Sequence, residues 1–434
     1  MPDEIQEELR AGGLDLMWLI IMKIREKQSL RNRKLCCLSS TKPSPLHSKR
    51  NIFFFFFTSV LLLTCFYPSL KQPFHYRHHQ ELSLKNPDRH DYDKFVWHKS
   101  ILSDWDPNSD HRLLVFGDIH GMVAPLKKLL KKLNYDPKLD TVLLVGDLAA
   151  KHPRIQASLD TIRYCRELKV EGVRGNHDEY IIIWRNWMET HREKFVASHD
   201  LLAYHADDHA NLESDFWLQA AQPPQELKKK LPNGMDWGTQ HFEIARRLPK
   251  IDFHWILERS LTIHVSPLRT YFAHAGMLPW VPPNEPEAKA ALRVMSLLEL
   301  QENKDPYTLL EMRGLKKGRR PTKKGDRGKP WYKYWNKTMR QCNETSSSDS
   351  EAGAWCERPE HVVYGHWAGK GLTIKPWSIG LDSGCVYGRQ LSALVIGKPR
   401  PSASKKHEHQ LLRPIPIQLL NYNATIFQLN CREP

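Results

Sequence analysis

The chain has 434 residues, 26% of them charged, and a formal net charge of +15. Residues 313–340 carry twelve basic and one acidic side chain, or +11, and residues 1–50 carry ten and six, or +4, so the remainder is neutral. That distribution excludes a generally basic protein that coats nucleic acid, and eight cysteines in a chain this long exclude a disulfide framework.

Residues 1–50 read as a basic N-terminal tail. From Ile52 to Tyr67 the run is apolar except for Thr58, Ser59 and Thr64, and counting on to Leu70 gives nineteen residues, just enough for a membrane span. Residues 51–70 are therefore expected to form a signal anchor, since a cleaved leader would not follow fifty residues. Lys49 and Arg50 precede the span, but Lys71, Arg77, Lys85 and Arg89 follow it, so the sequons are the better guide to orientation. Asn336-Lys337-Thr338, Asn343-Glu344-Thr345 and Asn423-Ala424-Thr425 all lie beyond it, two of them in loop-like sequence. The expectation is a single-pass type II protein with its main body in a lumen. Residues 71–110 read as a linker.

The body then alternates strand and helix. Leu113 to Phe116 is strand-like and runs into Gly117-Asp118-Ile119-His120-Gly121. Val123, Leu126, Leu129, Leu130 and Leu133 mark a helix face. Thr141 to Val145 is the next strand and ends on Gly146-Asp147; Ile155, Leu159, Ile162 and Leu168 mark the next helix; Val170 to Val173 leads into Gly175-Asn176-His177-Asp178. This is a βαβαβ pattern with polar motifs after the strand ends, where α/β sheets carry their chemistry.

Residues 180–260 are helix-rich and are expected to form a cap, in which His191, His199, His205 and His209 are surface or core residues rather than ligands. Thr270 to Ala273 is a strand followed by His274-Ala275-Gly276. The basic and Ser-rich insertion 313–357 is interrupted by Gly and Pro and interleaved with Trp331, Tyr332, Tyr334 and Trp335. It reads either as a solvated insertion or as a handle for a long polyanion. Cys342 and Cys356 bracket its acidic end and would close a loop if the body is luminal, whereas Cys165 and Cys385 read as small core residues. His361 to Tyr364 runs into Gly365-His366, and Ser378 to Leu381 and Leu391 to Ile396 are further strands of a second sheet. Residues 401–434 form a tail without a defined pattern.

Singly, each polar motif has an ordinary reading: Asp118 or Asp147 as a turn former, His274 as a satisfied core histidine. Together they supply what two neighbouring divalent cations require. Asp118 and His120 suit one ion, Asp147 has lone pairs enough to bridge two, and Asn176, His274 and His366 complete the second. Only two of these six residues are anionic, so such a pair keeps positive charge and attracts phosphate oxygens, and it activates water near neutral pH. His177 is the candidate proton donor to the leaving oxygen, and Arg174 a candidate phosphate contact.

This motif set resembles the calcineurin-like metallophosphoesterases, within their phosphoprotein phosphatase branch. The segment Leu381-Asp382-Ser383-Gly384-Cys385-Val386-Tyr387-Gly388 is similar to the symmetrical diadenosine tetraphosphatase group. The segments HAGMLPW at 274–280 and GKPWYKYWNK at 328–337 resemble fungal, membrane-anchored members, among them vacuolar endopolyphosphatases. The resemblance spans 112–399 within a domain placed at 111–400. It implies a four-layer α/β/β/α sandwich with a helical cap, two divalent ions (Zn2+, Mn2+, Co2+ or Fe), and a vacuolar location. It also implies the same ligand roles, and it adds Arg313 as a substrate contact. The chain departs from the protein phosphatases after Asp147, where Ala150 and Lys151 replace an Asp-Arg pair, and His152 stands where the tetraphosphatase group has glycine. Lys151 keeps the charge for phosphate but not the bidentate fork.

Polyphosphate is therefore the expected substrate, with dinucleoside tetraphosphate as the alternative. Ala150 weakens a phosphoprotein phosphatase role, and the complete ligand set argues against a membrane-anchored scaffold with a degenerate site.

Overall fold

Successive residues of the strand Arg112–Phe116 enter different cores. Leu114 and Phe116 pack with helices, whereas Leu113 and Val115 meet a second sheet, as the two-residue period of an extended backbone requires. A computed structural model describes residues 98–100, 109–197, 225–232, 234–281, 296–346, 356–398, 400, 412–420, 422–432 and 434. All fall in the second of two units, His78–Pro434; the expected tail and span lie in the first, Met1–Arg77, outside the described residues. No helix among the described residues is long and apolar enough to cross a membrane.

The order is β1 (His98–Ser100), β2 (Arg112–Phe116), α1 (Val123–Lys132), β3 (Asp140–Leu144), α2 (Ile155–Glu167), β4 (Glu171–Gly172), α3 (Asn176–Thr190), α4 (Arg192–Ala197), α5 (Gln240–Arg247) and α6 (Lys250–Leu257). Then come β5 (Thr262–Val265), β6 (Thr270–Ala273), α7 (Pro306–Glu311), β7 (Gly314–Lys316), β8 (Arg320–Thr322), β9 (Lys329–Pro330) and α8 (Trp331–Ser346). The last strands are β10 (His361–Tyr364), β11 (Thr373–Lys375), β12 (Ser378–Gly380), β13 (Gln390–Ile396), β14 (Ile415–Leu419) and β15 (Tyr422–Asn430).

Two six-stranded sheets run β1-β5-β6-β10-β12-β11 and β14-β15-β13-β2-β3-β4, beside a small sheet β8-β7-β9. Between the large sheets lie Leu113, Val115, Leu143, Phe272, Val363 and Leu394. The outer face of the second sheet packs on α1, α2, α3, α5 and α6 through Leu126, Ile162, Trp184, Phe242 and Phe253. The outer face of the first, Tyr271, Ala273, Val362 and Tyr364, is covered by Trp331, Trp335 and Met339 of α8. The result is helix, sheet, sheet, helix.

Register places the motifs together. Parallel pairing sets Phe116 beside Leu144 in one sheet and Phe272 beside Val363 in the other. The chain segments leaving β2, β3, β6 and β10 therefore emerge at neighbouring strand ends, and each carries a motif.

Four readings need correction. The end of the expected linker supplies β1, which pairs in parallel with β5. The expected tail forms the hairpin β14–β15 and extends the sheet through β13. Strand β13 lies antiparallel to β2, in the sheet opposite the one anticipated. Cys385 is joined to Cys431, tying the segment after β12 to the end of β15; Cys342 and Cys356 form the second disulfide, and Cys165 is buried and free. Within 180–260, residues 198–224, with His199, His205 and His209, lie outside the described residues. What is described belongs to the main helical layer, and His191 bonds the Trp187 carbonyl through Nδ1 at 2.9 Å.

Candidate metal centre

Two clusters share one carboxylate. The ligand atoms of Asp118, His120 and Asp147 lie within 4.8 Å of one another, as do those of Asp147, His274 and His366, and all are buried. Asn176 Oδ1 is 3.1 Å from His274 Nε2 and 3.0 Å from His366 Nδ1. All six expected ligands thus converge.

The ring nitrogens are sorted by backbone carbonyls. His120 Nδ1 lies 3.0 Å from Ala149 O, His274 Nδ1 2.8 Å from Val145 O, and His366 Nε2 3.2 Å from Glu311 O. Each carbonyl can only accept, so each ring donates outward and turns its other nitrogen inward, as metal-ligating histidines do. Asp147 Oδ1 accepts from the backbone N–H of His177 at 3.0 Å, while its buried Oδ2 has no hydrogen-bond partner. His120 Nε2 lies 3.4 Å from this Oδ2 and His274 Nε2 3.4 Å from Oδ1, so the carboxylate faces one cluster with each oxygen, as a bridging ligand does.

Backbone geometry is specialised to match. His120, Asp147 and His366 have φ of 47°, 54° and 68°, left-handed values that cost energy in any residue but glycine. Gly175 and Gly365 answer a different need: a Cβ there would overlap the carboxylates of Asp147 and Asp118.

Burial sets the electrostatics. It raises Asp118, and the neighbouring Asp382 and Asp147 raise it further, well above the usual carboxylate range. Burial also favours the neutral form of Asp147, but His274, His177 and His120 outweigh it and hold this carboxyl well below that range. His120 is lowered by burial to about 4, and His366 is lowered well below the ordinary value by burial and by His274. His274 runs the other way: burial lowers it, but Asp147 raises it above the ordinary value. Concentrated buried carboxylates packed against imidazoles call for cations, and the donor set fits two divalent ions.

Residues 111–369, more than half of the chain, match the calcineurin-like phosphoesterases. The chain belongs to the calcineurin-like phosphoesterase family. Members of this family use two divalent metals. Among curated relatives, the chain is 26% identical over 305 residues to the symmetrical bis(5'-nucleosyl)-tetraphosphatases of Yersinia pestis (strain Pestoides F) and Yersinia pseudotuberculosis serotype O:1b (strain IP 31758), covering 64% of this chain and 87% of each relative. A solved structure provisionally assigned as a diadenosine tetraphosphatase aligns at 24% identity and TM-score 0.39, over 69% of this chain and 92% of its own. A Saccharomyces cerevisiae protein serine/threonine phosphatase aligns at 13% identity and TM-score 0.35, over 75% and 81%.

Other expected residues of this phosphoesterase are placed less uniformly. His177, on the first turn of α3, lies with its ring 5.1 Å from that of His120, and its Nδ1 is 2.7 Å from Nε2 of His241 on α5. Lys151 Nζ is 2.9 Å from His120 Nε2; burial would lower its pKa, but Asp147 and then Asp118 keep it above the ordinary lysine value. Arg313 donates to Lys323 O at 2.9 Å and to His366 O at 3.3 Å, at the rim of the second cluster. Arg174 requires correction. It is buried and donates to Glu179 at 2.7 Å and to the carbonyls of Arg259 and Leu257, so its guanidinium holds α3 against the C-terminal end of α6 and the residues after it rather than waiting for a phosphate.

The doubtful turn after Asp147 resolves itself. Positive φ falls on Ala150 and Lys151, at 66° and 64°, and not on His152, so His152 needs no glycine. Room for it comes from Gly121, where a Cβ would meet the His152 side chain. Asn336 is also corrected: its Nδ2 donates to Tyr332 O and Ser378 Oγ at 2.7 Å, inside the contact of α8 with β12, and glycosylation would replace one of these two donor hydrogens with a sugar. Asn343, on α8, and Asn423, on β15, are exposed, so the sequons lie in regular elements rather than loops.

Sequence reading missed several acids. Asp178 accepts from Gly175 N at 2.9 Å and Leu148 N at 3.0 Å, clamping the GNHD turn to the segment after β3, and burial pushes it up to about 7. Asp382 lies beside Asp118 with its buried Oδ2 unpaired. Tyr180 donates to Glu311 next to Asn176, and both line a small cavity with Tyr307. Asp178 and Asp382 were visible inside recognised motifs; His241 and Glu311 carry no local signal.

Proposed function

We propose that this phosphoesterase hydrolyses phosphoanhydride bonds and that its preferred substrate is inorganic polyphosphate. The observation carrying the substrate choice is the small sheet β8-β7-β9 with its connecting turns, which together expose Lys317, Arg320, Lys323, Lys324, Arg327 and Lys329. This patch is fastened to the metal centre: Arg313 links Lys323 O to His366 O, the Lys323 N–H donates to Tyr307 Oη at 3.1 Å, and Gly325 lies against Trp367. A polyanion reaching the clusters with one phosphoanhydride has cations alongside the rest of its length. The basic segment is thus a folded surface, which supports the handle reading over a solvated insertion.

Two divalent ions held by Asp118, His120, Asp147, Asn176, His274 and His366 would polarise the phosphoryl oxygens and activate water. The chain's own residues do the remainder. His177 delivers the proton to the leaving oxygen, Lys151 and Arg313 neutralise the phosphoryl groups, and Asp178 keeps the GNHD turn in place. The disulfides Cys342–Cys356 and Cys385–Cys431 support a secretory-pathway lumen, with the vacuole as the compartment and the N-terminal span as the anchor. The second reading, dinucleoside tetraphosphate hydrolysis, is favoured by the names of the bacterial relatives.

The test uses the purified chain with zinc, cobalt or manganese against long polyphosphate, diadenosine tetraphosphate and a phosphopeptide. The proposal expects the highest kcat/KM on long polyphosphate, falling as salt rises. Preference for the tetraphosphate would favour the second reading, and inactivity with every metal would remove the hydrolase reading.

A further inference from the structure

His177 is held from outside the motif that contains it. Its Nδ1 is 2.7 Å from His241 Nε2, and the two rings are stacked with centroids 4.9 Å apart and planes 25° from parallel. The other rings beside it, His120 at 5.1 Å and Tyr180 at 5.9 Å, present edges. Ala150, in the turn after Asp147, offers only a methyl group. His241 and Gln240 open helix α5, and Gln240 donates to His152 O. One helix end therefore grips both the proton donor and the Ala150-Lys151-His152 turn.

We propose that His241 is a positioning residue: it occupies His177 Nδ1, fixes the rotation of that ring, and leaves Nε2 as the nitrogen presented to the leaving oxygen. The inference rests on the phosphoesterase reading of this centre. A single hydrogen bond at Nδ1 suffices, because an imidazole rotated about its Cβ–Cγ bond exchanges the places of its nitrogens and carbons. Burial lowers His241 to about 4, so it stays neutral near pH 7 and holds the bond as a polar rather than an ionic partner.

Two variants separate hydrogen bonding from packing. H241F keeps a ring and loses the nitrogen; H241Q loses the ring and keeps a polar partner. With the full metal-loaded chain, H241F should lose kcat on phenyl phosphate by about tenfold to hundredfold, up to the lower edge of the general-acid range, because the donor itself is kept and only its aim is lost. It should lose little on 2,4-dinitrophenyl phosphate, whose leaving group needs no proton. KM and bound metal should match wild type, and H241Q should recover most of the loss.

H241F equal to wild type on phenyl phosphate, equal losses on both esters, or H241Q no better than H241F would each overturn the proposal. A readout independent of turnover is the exchange-protected imidazole N–H resonance of the pair in the NMR spectrum. It should be present in wild type and H241Q and missing in H241F; its absence from wild type would overturn the proposal. If wild type hydrolyses neither ester, nor polyphosphate, diadenosine tetraphosphate or a phosphopeptide, with any metal, the phosphoesterase reading fails, and the resonance still decides the role of His241.

Discussion

At the scale of single residues, strain and burial coincide with the motifs at the centre. His120, Asp147 and His366 hold left-handed backbone, and buried Asp147 Oδ2 lacks a partner. Such costs persist where the surroundings over-determine them. Asp147→Asn should therefore leave the circular dichroism spectrum intact and lower hydrolysis more than about 100-fold, beyond the effect of losing a residue that merely orients a ligand; retained turnover would deny it the bridging role. Arg174→Lys should lower stability by about 3 kcal/mol, because a buried, multiply bonded guanidinium is lost, while KM stays at the wild-type value. A raised KM with unchanged stability would restore the phosphate role. The spacing of Arg174 from Asn176 told nothing of its direction, whereas Gly117-Asp118 and Gly146-Asp147 were legible because a strand end leaves a side chain few directions.

His361 supplies a pH test away from the clusters. It is buried on β10 against Trp377, and burial lowers its pKa from 6.5 to about 4. The folded chain keeps this ring neutral while the unfolded chain protonates it below 6.5, so its contribution is complete above pH 6.5 and is lost as pH falls toward 4. The loss is on the order of 3 kcal/mol. Denaturant titrations at pH 7 and pH 5 should show a smaller fall in stability for H361F than for wild type; equal falls would contradict this assignment.

Among elements, the basic segment shows how much composition conceals. Its charges read either as a solvated insertion or as a handle; in the structure Trp331, Trp335 and Met339 bury one face of α8 against the first sheet, while the cations stay on the surface of β7 to β9 and their turns. Periodicity could have found the helix: Trp331, Trp335, Met339 and Cys342 recur at helical spacing. Replacing Lys323, Lys324 and Arg327 by Gln should leave the fold intact, raise KM for long polyphosphate severalfold and flatten its salt dependence, with tripolyphosphate little affected. Unchanged kinetics on long chains would end the handle reading. The hairpin β14–β15 also left a trace, since Ile415, Ile417 and Leu419 alternate with Pro416 and Gln418; what local sequence could not reveal was its partner, β13. The Cys385–Cys431 bond spans 46 residues, and C431S should cost up to about 4 kcal/mol by loop-closure entropy, read as a lowered Tm under oxidising conditions. An unchanged Tm would show that the hairpin does not depend on it.

Across the whole molecule, the six ligands come from segments 118–147, 176, 274 and 366, which parallel strands in two facing sheets bring to one place. The βαβαβ half was legible because each strand and helix is local and periodic. The assignment of β13 to the first half's sheet was not, because antiparallel pairing across nearly 280 residues, Leu394 with Val115, has no local signature. The basic face beside the metal centre and the two disulfides are the grounds on which an extracytosolic polyphosphatase is proposed. The most direct measurement strips the purified chain of metal, returns manganese, zinc or cobalt in steps, and follows bound ions together with shortening of long polyphosphate. Turnover should rise with occupancy, reach its maximum at two ions per chain and vanish in Asp147→Asn. Full turnover in excess chelator, or a maximum at a single ion, would contradict the two-metal account.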